Sequence, residues 1–594
     1  MTDTEKVIST PSRSVGGDIS LTAEILAQSA GHEDRIDFAR SVVFNMVSGY
    51  WKAQQAGTAR SWPIRKLPAG IKIIPLPAET SELARITGTA AARLDIDEAS
   101  YMIGVIYTGL LPDRFRSQLG AYYTPPTLCE RLLDIATNAG VDWSSARALD
   151  PACGGGAFLS PVARRMAKSL RGRSATDVLN HIQRCLRGFE LDPFAAWMSQ
   201  VYLDATLSEL YHEAGKRLQS VVRVCDSLEQ SPENKGFDLV VGNPPYGRVT
   251  LSTALREKYR RSLFGHANLY GIFTDLALRY TCMDGVIAYV TPTSFLAGEY
   301  FKALRGLLGR EAPPKSIDFI GKRKGVFSGV LQETLLAVYQ RGGNADTGKV
   351  HFISPGANGS IKIMDAGPFN LPDKPDQPWL MPRTEKQSRL LQHVKELPYR
   401  LSDYGYAVST GPLVWNRHKP GLKTEPGEGR YPLIWAESVR PDGMFEFRAG
   451  KRNHKPYFEP KPKENWVVTD FPCVLLQRTT AKEQFRRLIA AELPVEFIEK
   501  HGAVVIENHL NMIKPLNGAP SVSPAVLAAL LNSEVVDQVF RCINGSVAVS
   551  AYELEALPLP SPEEMPEIER LVQRHAKRET LEQAVESLYA NGGW

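Results

Sequence analysis

The sequence predicts an α/β protein whose mostly parallel sheet is flanked by a helical N-terminal region and a mixed C-terminal domain. Between residues 147 and 340, seven short β-rich runs alternate with helical stretches, which is typical of a parallel sheet covered on both faces. Residues 20–115 carry apolar side chains at helical spacing, and residues 562–590 end the chain with a charged helical pattern. The length of 594 residues implies several domains.

Changes in composition divide the chain into four segments. We expect a helical region at 1–115, an α/β domain at 116–345, a linker at 346–382 and a further domain at 383–594 with a helical end. The linker is predicted because its residues are rich in Gly, Pro and Asp, which favour turns over regular elements.

Charge is unevenly distributed although the formal net charge is only +5. Residues 381–490 contain 20 Lys and Arg against 12 Asp and Glu, whereas residues 491–594 contain 7 against 15. The first of these blocks could contact a polyanion, although a solvated charged face is the commoner cause of such an excess.

The seven cysteines are scattered, without a C-x-x-C pair or an accompanying His cluster. We therefore expect neither a metal site nor a disulfide framework, and a reducing cytoplasm fits this pattern. No apolar run approaches the ~20 residues that cross a bilayer, so no membrane association is expected.

A Gly-rich loop follows the first predicted strand, where open α/β sheets bind their ligands. It begins at Asp150 and reads DPACGGGAFL. The next strand ends in Glu190, whose carboxylate can accept hydrogen bonds from both hydroxyls of a ribose, and the third ends in Asp226, which can accept from an adenine amino group. The loop has neither of the two common phosphate-binding patterns, so a nucleoside without a pyrophosphate is the favoured ligand. A plain tight turn between strand and helix is the alternative interpretation.

The fourth strand leads directly into Asn243, Pro244, Pro245 and Tyr246. Two prolines fix this loop, so the Asn243 side-chain oxygen and the Pro244 carbonyl become two acceptors for one exocyclic amine, and the Tyr246 ring can stack on its base. The lone pair of an adenine or cytosine amine is delocalised into the ring. Two acceptors on its hydrogens favour the localised form that is reached in the transition state. An ordinary Pro-rich turn is the alternative interpretation.

With these motifs in this order, the chain resembles the γ-class N6-adenine-specific DNA methyltransferases of restriction-modification type, which use S-adenosylmethionine. The shared motifs lie between residues 120 and 341 and read GAYYTPP, DPACGGGAFL, GFELDP, CDS, NPPYG, ANLYGIFTDLAL, GVIAYVTPTSFL and KGVFSGVLQETLLAVYQ. They cover a little over a third of the chain. The middle glycine of the GGG, Gly155, departs from a serine that often stands there.

The resemblance implies a class I S-adenosylmethionine-dependent methyltransferase fold, Rossmann-like, with a mostly parallel seven-stranded sheet. It implies that residues 383 to about 560 form a mixed α+β target-recognition domain. Double-stranded DNA would be the partner in a bacterial or archaeal cytoplasm, no metal would be required, and a cognate restriction endonuclease encoded separately is compatible with it.

The resemblance also implies roles for individual residues. Thr124 would help hold the methionine carboxylate, Leu191 would contact the adenine of the cofactor, and Phe327 would contact the extruded base. The cofactor-binding set would be Thr124, Asp150, Ala152, Cys153, Gly154, Glu190, Leu191 and Asp226, and the catalytic set would be Asn243, Pro244, Pro245 and Tyr246.

The content of residues 383–560 agrees with DNA binding, because basic and aromatic side chains interleave there. The basic members are Arg417, His418, Lys419, Lys423, Arg448, Lys451, Arg452, Lys455, Lys461 and Lys463, and the aromatic ones are Trp415, Trp435, Phe447, Tyr457, Phe458 and Trp466.

Several other functions remain open. A bifunctional restriction endonuclease-methyltransferase would need a nuclease site, and Asp442 with Glu459 and Lys461 has loose PD…E-x-K spacing, although Pro460 interrupts that strand. An amino-methylase acting on cytosine or on a protein glutamine would use the same loop. A cytosine carbon-5 methylase would need a nucleophilic cysteine, and Cys473 with Glu507 and Asn508 downstream imitates that pattern by chance, because the cofactor motifs do not stand upstream in the right relation. A non-enzymatic DNA-binding module is a further alternative, against which the intact Asn243 and Glu190 argue.

Overall fold

The computed structural model describes residues 35–58, 60–119, 123–232, 235–321, 333–344, 347–355, 360–394, 397–479, 486–516, 518–543 and 548–590. The chain divides into two compact units. The first contains residues 1–293 and 303–365, and the second contains residues 294–302 and 366–594.

The first unit begins with helices, as the apolar spacing predicts. They are α1 (Arg35–Gln54), α2 (Ala78–Ala91), α3 (Ile96–Leu110) and α4 (Asp113–Leu119). The Asp95 side chain starts α3 by accepting a hydrogen bond from the Asp97 amide at 2.9 Å. The apolar faces of α1 and α3 form one core with a helix of the α/β region, in which Tyr107, Phe194 and Trp197 take part. The helical region and the α/β region therefore share a core.

The α/β region of the first unit contains a large sheet with helices between its strands. The strands are β1 (Ala148–Asp150), β2 (Leu186–Glu190), β3 (Val222–Val224), β4 (Phe237–Gly242), β7 (Thr281–Pro292), β8 (Pro314–Ile320), β9 (Thr334–Gln340), β10 (Gly348–Pro355) and β11 (Ile361–Phe369), and a small ribbon is made by β5 (Arg248–Val249) and β6 (Ala267–Asn268). The helices are α5 (Pro126–Asn138), α6 (Leu159–Ser169), α7 (Ala175–Cys185), α8 (Pro193–Thr206), α9 (Ser208–Ala214), α10 (Thr253–Lys258), α11 (Leu269–Tyr280) and α12 (Lys302–Glu311).

The strand order of the large sheet is β11-β10-β8-β9-β7-β4-β1-β2-β3. Neighbours from β3 to β7 run parallel, and β9 runs antiparallel to both β7 and β8. The class I methyltransferase fold is therefore confirmed: the predicted seven strands form its mostly parallel core.

Residues 346–382 differ from the expected linker. They contain β10, which pairs parallel with β8, and β11, so the described sheet has nine strands rather than seven. Val350 and Ile353 of β10 are buried in the sheet core, which explains why this segment is ordered as strand despite its Gly and Pro content.

The second unit contains two further sheets. Its strands are β12 (Tyr406–Thr410), β13 (Leu422–Lys423), β14 (Tyr431–Ile434), β15 (Tyr457–Phe458), β16 (Val468–Thr469), β17 (Cys473–Gln477), β18 (Ala490–Leu493), β19 (Val504–Ile506) and β20 (Leu510–Pro515). The strand orders are β12-β20-β17-β18 and β13-β15-β14-β19-β16.

Seven α-helices are found among the described residues of the second unit and give it the mixed α+β character that was predicted for the C-terminal domain. They are α13 (Glu385–Val394), α14 (Val495–His501), α15 (Pro524–Leu531), α16 (Glu534–Ile543), α17 (Ala551–Glu555), α18 (Pro566–Gln573) and α19 (Arg578–Ala590). The charged terminal helices contribute Ile568, Val585 and Tyr589 to a core with α15 and α16. In the part of the chain that is described, no helix has the length and apolarity needed to span a bilayer.

Candidate active site

The carboxyl ends of β1, β2 and β4 lie side by side. In the parallel register Ala148 pairs with Leu186 on one side and with Leu239 on the other. The three strands end at Asp150, Glu190 and Gly242. Parallel strands present their carboxyl ends at one edge of the sheet, so the predicted cofactor and catalytic motifs meet there.

A pocket with ≈ 640 Å³ of space, including its open mouth, lies at this edge. Predicted site residues among its lining are Thr124, Asp150, Ala152, Cys153, Gly154, Glu190, Asn243 and Pro245. Leu191, Asp226, Pro244 and Tyr246 are outside this lining, and Phe327 lies outside the described residues.

The Glu190 carboxylate is held by the backbone on both sides. Its Oε2 accepts from the Gly154 amide and its Oε1 from the Asp192 amide, each at 2.8 Å. Burial raises the pKa of Glu190 to about 7, although the hydrogen bonds from these two amides act in the opposite direction. Each oxygen keeps a further lone pair, so Glu190 can still accept hydrogen bonds from a diol.

The Asp150 carboxyl closes the floor of the pocket and is 1% exposed. Its Oδ1 accepts from the Ala152 amide at 3.1 Å, and burial raises its pKa to about 8. A Cβ on Gly242 would lie 2.8 Å from the same oxygen. Glycine at the end of β4 is therefore required for Asp150 to occupy this position.

The residues present fit a nucleoside cofactor. Gly154 has a φ of +50°, and a Cβ placed on it would meet no atom within 4 Å, so the loop leaves open space beside the Glu190 carboxylate. Leu191 is 55% exposed and offers an apolar surface next to that carboxylate. Asp226 follows β3 by two residues, and its Oδ1 accepts from the Leu228 amide at 2.9 Å.

The Asn243 amide is held between two hydroxyl groups. Its Nδ2 donates to Thr124 Oγ1 at 3.0 Å, and its Oδ1 accepts from the Tyr246 hydroxyl at 2.7 Å. The Tyr246 oxygen also lies 3.2 Å from the Val290 carbonyl oxygen, and its ring packs edge-on against Tyr270 with centroids 6.1 Å apart. The loop that begins at Asn243 is thus hydrogen-bonded to the segment before α5 that carries Thr124.

Sequence reasoning missed Tyr123, a further residue of this pocket. A Cβ on Gly155 would lie 2.4 Å from Tyr123 Cε1, and a Cβ on Gly104 would lie 2.1 Å from the same atom. The ring therefore occupies the space between the glycine loop and α3. The glycine at 155, where the family often has serine, was the signal for this contact.

Asp192 was also missed, although it belongs to the GFELDP motif. It is 3% exposed, and its side chain accepts from Arg40 Nη2 at 3.0 Å and from the Tyr107 hydroxyl at 2.7 Å. Its side chain also accepts from the Phe194 amide and so starts α8. Asp192 joins the N-terminal helices to the strand that ends in Glu190.

The residues that a cytosine carbon-5 methylase or a nuclease would use are buried or paired in other contacts. Cys473 is completely buried in β17, and burial raises its pKa to about 12, which does not suit a nucleophile. Asp442 forms an ion pair with Arg440, and Glu459 pairs with Arg430. Among the described residues no group of three or more His, Cys, Asp and Glu side chains is placed to hold a metal ion.

The basic residues of the second unit fall into paired and exposed members. Lys423 pairs with Glu459 at 3.4 Å. The exposed members include Arg417 and Lys419, on either side of His418 in the sequence, and Lys461 and Lys463, which precede Trp466 by five and three residues. Trp466 is 58% exposed and packs edge-on against His418, which bonds to Glu464 at 3.1 Å. We call Arg417, Lys419, Lys461, Lys463 and Trp466 the Trp466 patch.

Two similar proteins of known identity are Type II methyltransferases. The chain is 26% identical over 469 residues to Type II methyltransferase M.BsuBI of Bacillus subtilis, covering 75% of this chain and 88% of that protein. It is 28% identical over 339 residues to Type II methyltransferase M.PstI of Providencia stuartii, covering 56% of this chain and 66% of that protein.

The same fold occurs in a solved structure. The Type IIL restriction-modification enzyme MmeI, solved in complex with DNA, matches with a TM-score of 0.52 at 14% identity, covering 99% of this chain and 97% of that one. The Eco57I restriction-modification methylase model matches residues 184–327, which contain Glu190, Asp226 and Asn243. The chain therefore matches the Eco57I restriction-modification methylase model across residues 184–327, and its resemblance to the restriction-modification methylases is confirmed.

Proposed function

We propose that this protein transfers a methyl group from S-adenosylmethionine to the exocyclic amino nitrogen of adenine in duplex DNA, as the modification arm of a restriction-modification system. The observation that carries the proposal is that Asn243 lines the same pocket as Asp150 and Glu190. An amide acceptor suited to an amine thus lies beside carboxylates suited to a nucleoside.

The cofactor would be held by groups of the first unit. Glu190 would accept hydrogen bonds from the ribose hydroxyls, Leu191 would pack on the adenine, and Asp226 would accept from its amino group. Asp150 and the backbone at Gly154 would line the ribose and methionine. When bound, S-adenosylmethionine supplies an electrophilic methyl group on a sulfonium.

The protein's part in the chemistry is to orient and polarise the target amine. Asn243 Oδ1 and the Pro244 carbonyl would accept its two hydrogens and draw its lone pair out of conjugation with the ring. The amine nitrogen would gain a bond to the methyl carbon as the bond from that carbon to sulfur breaks, and the nitrogen would then release one proton to solvent. The two acceptors would polarise its N–H bonds in both steps. Adenine rather than cytosine is favoured because the γ-class resemblance associates an NPPY loop with adenine.

The base would have to leave the duplex, since a paired adenine cannot present its amine inside a pocket. Tyr246 and Phe327 are the residues that we propose to contact the extruded ring. Base–aromatic stacking is worth about 1–3 kcal/mol per base, which offsets part of the unstacking cost of a few kcal/mol.

Duplex binding would come from the second unit, and the Trp466 patch is the surface that we propose for it. Arg417 and Lys419 adjoin His418, whose ring packs against Trp466, and Lys461 and Lys463 lie within five residues of Trp466 in the chain. All four are exposed, and their charge suits phosphates. The β13–β15 pairing of Leu422 with Phe458 and the His418–Glu464 bond connect the two loops that carry the patch, so its cations belong to one surface.

The direct test is to express the full chain alone in a host without DNA methylation and to map modified bases by single-molecule sequencing. We expect N6-methyladenine at every copy of one short sequence. N4-methylcytosine at such a site would show that the target base is cytosine and would contradict the adenine specificity that we propose. Unmodified DNA, together with purified chain that binds S-adenosylmethionine, would overturn it and favour a protein substrate.

A further inference from the structure

We propose that Thr124 is a positioning residue for Asn243: its buried hydroxyl accepts from Asn243 Nδ2 and thereby keeps Oδ1 turned towards the target amine. This inference rests on the proposed function. It adds to the role that the family resemblance implies, in which Thr124 helps hold the methionine carboxylate.

The geometry restricts both partners. Thr124 is 2% exposed and immediately precedes the turn into α5, where its carbonyl oxygen lies 3.7 Å from Cys129 Sγ. Its hydroxyl meets Asn243 Nδ2 at 3.0 Å. Asn243 follows β4, and Pro244 and Pro245 limit the backbone after it, so the amide can change its presentation chiefly by rotating about Cβ–Cγ.

That rotation matters because the two ends of the amide have opposite hydrogen-bonding character. With Nδ2 on Thr124, Oδ1 faces the Tyr246 hydroxyl, 2.7 Å away. Rotation by about 180° would place Oδ1 against Thr124 and turn the NH₂ group outwards. An outward NH₂ would point its hydrogens at those of the target amine, and the loop would lose one of its two acceptors.

The hydroxyl of Tyr246 cannot fix the orientation alone. A hydroxyl can donate or accept a hydrogen bond as its partner requires. The Tyr246 oxygen lies 3.2 Å from the Val290 carbonyl oxygen, so the hydroxyl can donate to that carbonyl if the Asn243 amide rotates by about 180°. Thr124 fixes the orientation when its own proton is directed to another acceptor. Thr124 lines the pocket, so a cofactor carboxylate is such an acceptor, and the hydroxyl is then left only as an acceptor for Nδ2.

Thr124 is therefore expected to couple cofactor binding to the orientation of the Asn243 amide. Thr124→Val keeps the shape of the side chain but removes the hydroxyl, and Thr124→Ser restores it. We expect Thr124→Val to lower kcat at saturating cofactor by about 10- to 100-fold, the loss typical of a misplaced group, and Thr124→Ser to retain kcat within about threefold.

The experiment measures kcat and KM for S-adenosylmethionine on cognate duplex, with cofactor affinity by calorimetry and Tm for each full-length variant. A raised KM with unchanged kcat in Thr124→Val would overturn the inference, because Thr124 would then be a cofactor contact only. Equal loss in the Val and Ser variants would also overturn it and assign the effect to packing. If Thr124→Val does not fold, Thr124→Ala is compared with Thr124→Ser by the same criteria.

Duplex carrying 2-aminopurine at the target position gives a readout other than turnover. Wild type with an S-adenosylmethionine analogue that retains the carboxylate should hold the extruded base better than wild type with one that lacks it, whereas Thr124→Val should not distinguish them. Asn243→Ala distinguishes a failure of the proposed function from a failure of the inference about Thr124. An active Asn243→Ala would refute the proposed function, whereas an inactive Asn243→Ala beside a fully active Thr124→Val would refute only this inference.

Discussion

The hydroxyl of Tyr107 donates a hydrogen bond to the carboxylate of Asp192 at 2.7 Å. Asp192 in turn donates its amide hydrogen to Glu190 Oε1 at 2.8 Å. A residue of α3 therefore supports, through one intermediate, the carboxylate that we assign to the cofactor ribose. The N-terminal helices thus contribute Tyr107 to the pocket that we assign to the cofactor.

The first prediction follows from this support. Tyr107→Phe should weaken S-adenosylmethionine binding and lower the free energy of unfolding by roughly 1.5–3 kcal/mol, since a buried hydrogen bond to a carboxylate is lost. Calorimetry and denaturant unfolding measure both. Tyr50→Phe is the matched control, because Tyr50 lies in the same helical core and its hydroxyl has no hydrogen-bond partner among the described residues. Equal effects of the two substitutions would contradict the assigned role of the Tyr107–Asp192 bond.

The second prediction concerns protons. Burial raises the pKa of Glu190 to about 7, so below that pH most of the free protein carries a neutral Glu190. The raised pKa stabilises the folded state at low pH, and this stabilisation is lost as the pH rises through about 7. A ribose diol donates to the ionised form. Cofactor binding at pH 6 should therefore release close to one proton, and binding at pH 8 close to none.

Calorimetry in two buffers of different ionisation enthalpy counts these protons. Glu190→Gln, measured at saturating cofactor, should lose the pH-dependent release. A release in the Glu190→Gln variant equal to that of wild type would assign the proton to another group, for which Asp150, with a pKa raised to about 8 by burial, is the nearest candidate.

The third prediction concerns Tyr246. Tyr246→Ala should slow transfer severely, because about 1–3 kcal/mol of stacking would be lost. Tyr246→Phe and Tyr246→Trp keep a ring and should be tolerated better, and Phe327→Ala should be milder. Fluorescence of 2-aminopurine at the target should brighten when wild type binds. A duplex that stays quenched under saturating enzyme and cofactor analogue would exclude base extrusion.

The fourth prediction concerns the Trp466 patch. Replacing Arg417, Lys419, Lys461 and Lys463 by alanine should reduce duplex affinity and its salt dependence, since each phosphate contact contributes roughly 0.9 to the slope of log K against log salt. Affinity for S-adenosylmethionine should not change. Lys423→Ala is the control, because Lys423 pairs with Glu459. An unchanged salt slope in the fourfold variant would place the duplex on another surface.

The core of the fold could be predicted because each β-rich run is followed by turn residues or by a polar motif residue, which mark where the strand ends. Asp150, Glu190 and Asn243 could be placed at neighbouring strand ends from the β-rich runs alone. The strands β10 and β11 escaped prediction because Gly and Pro interrupt their apolar alternation, and their burial depends on a sheet edge that no local pattern reveals.

The support of the site was harder to predict. Tyr107 and Asp192 are separated by 85 residues, and no pattern in either neighbourhood indicates that they meet. The same holds for Thr124 and Asn243, which are 119 residues apart. Contacts of this kind depend on how helices pack against a sheet, whereas the motifs report only what each segment carries.

The most direct test of the account is nucleoside analysis of duplex DNA treated with S-adenosylmethionine and either wild type or Asn243→Ala. The DNA is digested to nucleosides and separated by mass spectrometry, and cofactor affinity is measured for both proteins. We predict N6-methyladenine with wild type and none with Asn243→Ala, whose cofactor affinity should stay close to that of wild type because Glu190, Leu191 and Asp226 are the groups that we propose to hold the nucleoside. N6-methyladenine formed by Asn243→Ala at the wild-type rate would contradict the central claim that this amide activates the adenine amine.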